Sequence, residues 1–152
     1  MSLCIGVKTF IASTLPAGSC DDRGIPQISS SINLIGKFFK LTNFRHKNLC
    51  QYLDIIKGTR ERIVIASEHY FKCLRDVDPE KIKKKIPSIM SDVLSGLEYL
   101  SMRNITHRNL SPNNIFLDSE NNAKLGDYGL FYLSDCNCDV PFPIGYIFKH
   151  HF

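Results

Sequence analysis

A chain of 152 residues is long enough for one domain with a real core and short for two. With 43% hydrophobic and 22% charged residues and a formal net charge of +4, the composition is that of a globular protein, not of a disordered tail. The densest basic run, "KIKKK" at 81–85, has no aromatic or base-reading partners beside it, so it reads as a solvated helix entrance and not as a nucleic-acid surface.

In chain order, residues 3–13 predict a strand, and the Gly-, Pro- and Ser-rich stretch 15–31 predicts a loop. From Ile32 to Phe44 the residues Ile32, Ile35, Phe38, Phe39 and Thr42 recur at helical spacing, with a Ser run ahead to cap them. "NLCQYLDII" (48–56) and "ERIVIASEHY" (61–70) are rich in β-branched and apolar residues and predict two strands, joined at Gly58 by a tight turn. Between Ser88 and Arg103 the period changes. Met90, Val93, Leu97 and Leu100 form an apolar stripe on a helix that starts near Pro87. A hairpin follows, "NIFLD" (114–118) and "AKLGD" (123–127) about the turn "SENN". The layout is α+β, two small lobes with residues 68–76 as the connector.

The six cysteines, Cys4, Cys20, Cys50, Cys73, Cys136 and Cys138, match no zinc spacing, because Cys136 and Cys138 stand as a lone C-x-C. Lys8 interrupts the amino-terminal apolar run and no basic segment precedes it, which argues against a secretory leader. No stretch reaches the length of a membrane span. The expectation is a cytoplasmic chain with reduced thiols.

"HRNLSPNN" at 107–114 resembles the protein-kinase catalytic loop H-R-D-L-x-x-x-N, and Asp127-Tyr128-Gly129 resembles the D-F-G motif. Either motif alone is weak. Together, with a hairpin between them and the "SGLEYL" helix ahead, they are specific. "RHKNLCQYLDI" resembles the segment leaving the kinase C-helix for the fourth strand. "RIVIASEHY" resembles the fifth strand entering the hinge, with Ser67 as gatekeeper and Glu68, His69 and Tyr70 as hinge. The resemblance spans residues 32–146 and implies a protein-kinase-like fold, incomplete here. Residues 1–67 would be N-lobe-like, 68–76 the hinge region, and 77–152 a partial C-lobe through the activation segment.

The phrases "STLP", "RHKNLCQYLDI", "ERIVIASEH", "HRNLSPNN" and "FPIGY" narrow the resemblance to the TBC-domain-containing kinase-like family. In that family a kinase-like domain, generally regarded as a pseudokinase, precedes a Rab-GTPase-activating-type TBC domain and a rhodanese-like domain. The resemblance implies protein partners, among them those of Rab-dependent endosomal traffic or growth signalling.

Phosphoryl transfer needs positioned phosphates, neutralised charge and an oriented hydroxyl. Among the first 30 residues only Gly6, Gly18 and Gly24 occur, none at the spacing of a phosphate-covering Gly-rich loop. Lys8 in "GVK" is the only candidate for the third-strand lysine and is read as a solvent-facing strand residue. Counting back from His46 by the family's spacing puts Lys37 where the C-helix Glu belongs, and a second cation there would repel the lysine. On this reading the amino-terminal phosphate clamp is missing.

The carboxy-terminal side is better kept. Asp127 and Asn114 match the magnesium-ligand positions and carry the oxygen donors that magnesium prefers. Asn109 replaces the catalytic Asp, and an amide cannot take up a proton at neutral pH. Ser111 replaces the usual Lys, removing a positive charge from the transferred phosphate. His107 and Arg108 remain, as a structural histidine and an anchor for the activation segment. Binding of ATP and magnesium is therefore left open.

After "FPIGY" the chain stops at "IFKHHF" without the A-P-E-type segment, which reads as an altered splice end or gene-model fragment. The face of the 88–103 helix left by the missing helices is expected to be a partner surface. Three readings stand: a non-catalytic kinase-fold scaffold, a weakly active magnesium- and ATP-dependent Ser/Thr kinase, and a fragment without a stable fold.

Overall fold

The computed structural model describes residues 4–12, 35–36, 39–58, 62–70, 72–132 and 134–139. Its strands are β1 (Ile5–Ala12), β2 (Tyr52–Lys57), β3 (Arg62–Glu68), β4 (Lys72–Cys73), β5 (Ile115–Leu117), β6 (Ala123–Leu125) and β7 (Ser134–Asp139). Among the described residues, Ile35 and Gly36 are helical, and the bounded α-helices are the single turn α1 (Pro79–Ile82) and the long α2 (Ile86–Ser101). Short 3-10 turns occupy Phe39–Asn43, Leu74–Asp76, Lys83–Lys85, Pro112–Asn114 and Leu130–Tyr132.

The strands form two sheets, one ordered β2-β3-β1-β7 and one ordered β4-β5-β6. In the first, β1 runs antiparallel to β3 with Lys8 opposite Ile65 and Gly6 opposite Ser67. β2 and β3 make the predicted hairpin, closed where the Gly58 amide donates to the Arg62 carbonyl at 2.8 Å. β7 takes the other edge of β1, with Phe10 opposite Asp139. In the second sheet, β5 and β6 pair in register from Ile115–Leu125 to Leu117–Ala123.

Several expectations shift in detail. Strand structure in the 48–56 run starts only at Tyr52, and Leu49 instead bridges in parallel to Leu125. Asn114 belongs to a 3-10 turn, not to β5, and Asp127 lies beyond the end of β6. Within the predicted 32–44 helix, Phe39–Asn43 is a 3-10 turn. Thr42 of the expected stripe is buried and Ile35 packs against the core, but Phe39 is exposed and Leu41, outside the stripe, is fully buried. Ile32, Phe38 and Lys37 lie outside the described residues.

The long helix is present, with its start at Ile86, but it is rotated from the expected stripe. Ile89, Val93, Gly96 and Leu100 are its buried positions, while Met90 is 50% exposed and Leu97 only packs against the margin of the core. Gly96 explains the rotation. A Cβ there would meet Leu125 Cδ1 at 2.9 Å and the Asn48 carbonyl at 3.0 Å, so the bare backbone lets α2 close on β6.

One continuous apolar cluster joins the sheets, from Leu41, Tyr52, Ile55 and Ile63 to Val93, Leu100, Leu117 and Leu125. A strap of backbone ties them. Leu125 N donates to Asn48 O and Cys50 N donates to Leu125 O, each at 2.8 Å. The buried Asn48 adds Nδ2 to the Ala123 carbonyl at 3.0 Å. Asp92 of α2 accepts the Ala123 amide at 3.0 Å and fixes the helix against the same strand. Among the described residues, Cys4, Cys50 and Cys73 are free. Among the described residues no helix is long and apolar enough to cross a membrane.

Candidate functional site

The backbone turns that follow α2 and β6 bring the two motifs together. Ile105 N donates back to the Leu100 carbonyl, ending the helix, and the chain then runs through His107 to Leu110 without regular secondary structure. His107 is buried, and its Nδ1 accepts the Asn109 amide at 3.3 Å. Burial holds the imidazole below its usual pKa, against the opposing pull of the Asp127 carboxylate and nearby backbone carbonyls. It is a neutral structural wedge under the loop.

Asn109 and Asn114 are locked to each other, because Asn114 Nδ2 donates to the Asn109 carbonyl at 2.8 Å. That bond also assigns the Asn114 amide orientation and leaves its oxygen as the ligand-type atom. The Asn114 carbonyl accepts the Gly126 amide at 2.9 Å, which couples the catalytic loop to the residue before Asp127. Arg108 and Asp127 both adopt left-handed backbone, with φ of 59° and 58°. Strain of this kind in non-glycine residues costs of order 1–3 kcal/mol each and concentrates where a side chain must be aimed. Arg108 is exposed, with its guanidinium 5.7 Å from the Phe131 ring centroid, and Ser111 is half-buried at the start of the turn that carries Asn114.

Asp127 is buried and its Oδ2 receives Lys8 Nζ at 2.5 Å. This corrects the reading of Lys8 as a solvent-facing residue. Its side chain is 31% exposed and reaches across from the central strand of the upper sheet to the metal-type carboxylate. The alternation of β1 puts Gly6 and Lys8 on one face, and that face looks into the cleft. Lys8 thus stands beside Asp127, where the resemblance would put the lysine of an amino-terminal clamp. A Gly-rich loop precedes the lysine strand in kinases. Residues 13–30 follow β1 and are not where such a loop would lie. Lys37, outside the described residues, is neither supported nor corrected.

Tyr128 makes the floor of the motif. Its hydroxyl donates to the Cys50 carbonyl at 2.9 Å, and Tyr52 Oη donates to the Tyr128 carbonyl at 2.9 Å. The two rings lie 4.5 Å apart, and Phe44 stacks on Tyr128 at 6.5 Å. Burial drives both phenols far above their usual pKa, so both stay protonated donors. Nothing in the spacing of Tyr52 or Asn48 marked them, and the motif that marked Tyr128 gave no sign of its hydrogen bond, because their partners are backbone carbonyls distant in sequence.

The residues that the resemblance assigns to the hinge follow the upper sheet. Ser67 and Glu68 end β3; Glu68 Oε2 accepts the Gln51 amide at 3.1 Å and the Tyr70 hydroxyl at 3.3 Å. His69 N donates to the Cys4 carbonyl at 2.8 Å, holding the hinge to the start of β1. Burial, then Glu68, raises the Tyr70 phenol well above its usual pKa.

Magnesium fits this donor set. Asp127 keeps a second carboxylate oxygen beside the one on Lys8, and Asn114 offers an amide oxygen, the one or two protein ligands that magnesium takes alongside phosphate oxygens. When bound, the ion would neutralise phosphate charge. Among the described residues no group of three His, Cys, Asp or Glu side chains is placed to hold a metal by itself.

Residues 33–135 match the protein kinase domain family. The chain is 41% identical over 145 residues to TBC domain-containing protein kinase-like protein of Gallus gallus and 39% identical to that of Homo sapiens, in each case over 93% of this chain. It is 29% identical over 136 residues to cyclin-dependent kinase 4 of Xenopus laevis, covering 84% of this chain and 42% of that protein. The chain spans 16% of the length of the first two relatives. The lysine, the paired asparagines and the D-Y-G aspartate thus meet in a fold of known kind, and the chain belongs to the protein kinase domain family.

Proposed function

We infer that this chain is a kinase-fold binding module that has lost phosphoryl transfer. Asn109 carries the reading. Its backbone is fixed by His107 and Asn114 where a kinase presents its catalytic Asp, and the side chain it presents is an amide. An amide cannot accept the substrate hydroxyl's proton, which removes about 10²–10⁴ in rate. Ser111 in place of the lysine removes a further charge from the transferred phosphate.

The partners are proteins, in the cytoplasm, and by resemblance those of Rab-dependent traffic or growth signalling. Ile86, Met90 and Leu94 support a protein surface: they recur along one face of α2 and are all exposed, Leu94 by 61%. A groove of about 450 Å³ lined by Leu97, Ser101, Ile105 and Thr106 borders the same helix.

A second reading is favoured by the Lys8–Asp127 pair, which keeps the phosphate-binding cation beside a metal-type carboxylate. On that reading the chain is a weak magnesium- and ATP-dependent Ser/Thr kinase. Transfer of labelled phosphate from ATP to a generic protein acceptor separates the two. The first reading expects no incorporation above that of Asp127→Ala. Incorporation that vanishes in Asp127→Ala establishes the second.

A further inference from the structure

The Lys8–Asp127 pair marks one end of the cleft and the hinge marks the other. A nucleotide that uses both must lay its base between them, since in kinases the strand lysine takes the α- and β-phosphates. In this chain that interval holds side chains. The His69 ring lies against Gly6, where an added Cβ would meet Nδ1 at 3.0 Å, Cβ at 3.1 Å and Cγ at 3.2 Å. From the lower sheet, Phe116 approaches the same ring at 6.4 Å between centroids, inclined by 59°. Phe116 in turn covers Gly126, where an added Cβ would come within 2.6 Å of Phe116 Cε2. Gly6, His69, Phe116 and Gly126 thus form a continuous stack from the lysine strand to the residue before Asp127. A glycine stands at each end: a Cβ at Gly126 would force Phe116 to shift, and one at Gly6 would press on the His69 ring. The hydrogen bond from His69 N to Cys4 O fixes the backbone that carries the ring.

We propose that the His69 imidazole is a built-in plug of the base subsite, seated between Gly6 and Phe116, and that a purine nucleotide enters this cleft only by displacing it. The proposal rests on the kinase-fold reading of the cleft and deepens it: the site is closed to the base as well as poor in catalysis. The imidazole is a flat aromatic ring, as a purine is, held between the bare backbone of Gly6 and the inclined Phe116 ring. Burial, and then Lys8, hold the imidazole below its usual pKa, so the plug is the neutral ring that such a slot accepts. A plug in place about nine-tenths of the time weakens apparent nucleotide affinity about ten-fold.

The test is a fluorescent-ATP titration of the chain, with and without magnesium, on wild type, His69→Ala and His69→Phe, with each variant's urea midpoint measured alongside. His69→Ala removes the ring and is expected to tighten binding about ten-fold. His69→Phe refills the slot and is expected to bind no more tightly than wild type. Unchanged or weaker binding in a folded His69→Ala, or equal tightening in His69→Phe, overturns the plug. Loss of transfer is judged separately. Tight nucleotide binding by wild type without phosphate incorporation would sink the plug and leave the non-catalytic reading standing.

Discussion

Tyr128→Phe restores the family's D-F-G motif, and on the structure it should destabilise the protein. The hydroxyl it removes is the donor to the Cys50 carbonyl, and both residues are buried, Tyr128 completely and Cys50 to 2% exposure. A net buried hydrogen bond is worth about 1 kcal/mol, and leaving an acceptor without its donor costs about 1–3 kcal/mol. No compensating contact appears, because the phenylalanine ring keeps the same stacking on Tyr52 and Phe44. The expected loss is about 1–2 kcal/mol. With a urea slope of about 1–3 kcal/mol/M, the unfolding midpoint should fall by roughly 0.3–2 M with the slope unchanged. Tyr52→Phe, which loses the donor to the Tyr128 carbonyl, should fall by a similar amount, and the double variant should depart from additivity because the rings touch. An unchanged or higher midpoint for Tyr128→Phe would refute the reasoning and make the tyrosine incidental.

Lys8→Met leaves the Asp127 carboxylate buried without its cation and should cost about 1–3 kcal/mol, less than a fully buried pair because Lys8 is 31% exposed; the urea midpoint checks it. Gly96→Ala gains helix propensity of about 1 kcal/mol but pushes a Cβ into Leu125 and the Asn48 carbonyl, so the net effect in a thermal melt should be a lower midpoint. His46, His69 and His107 are all held below their usual pKa, with burial as the first cause. The unfolded chain therefore binds more protons than the folded one at mildly acid pH. Stability should be fully present above pH 6.5, the ordinary histidine value, and decline as pH falls through the lowered folded values. Urea midpoints at pH 7.5 and pH 5 should show that fall, and His107→Leu should flatten part of it.

The motifs were legible because their chemistry is local. "HRNLSPNN" and "DYG" state their residue types in sequence, and the structure ties Asn109 to Asn114 and Asn114 to Gly126, the residue before Asp127. Lys8 was misread for a physical reason. Its partner lies 119 residues away, and a strand lysine with no local partner looks the same whether it meets water or a carboxylate. The long helix was recognised, and Val93 and Leu100 of its expected stripe are buried, but Met90 is not, because an apolar-residue count assigns no weight to Gly96, the residue that decides how closely the helix approaches β6. Phe39 and Leu41 show the same limit: a 3-10 turn has a different period from the α-helix that the spacing suggested. The ties of Asn48, Tyr52 and Tyr128 end on backbone carbonyls, which carry no mark in a sequence.

The central claim is that the kinase fold is kept while the proton-accepting group at Asn109 is gone. The most direct measurement is incorporation of the labelled γ-phosphate of ATP, in magnesium, by wild type against Asp127→Ala at equal concentration. The account predicts the same background for both. Incorporation by wild type that is abolished in Asp127→Ala would contradict it.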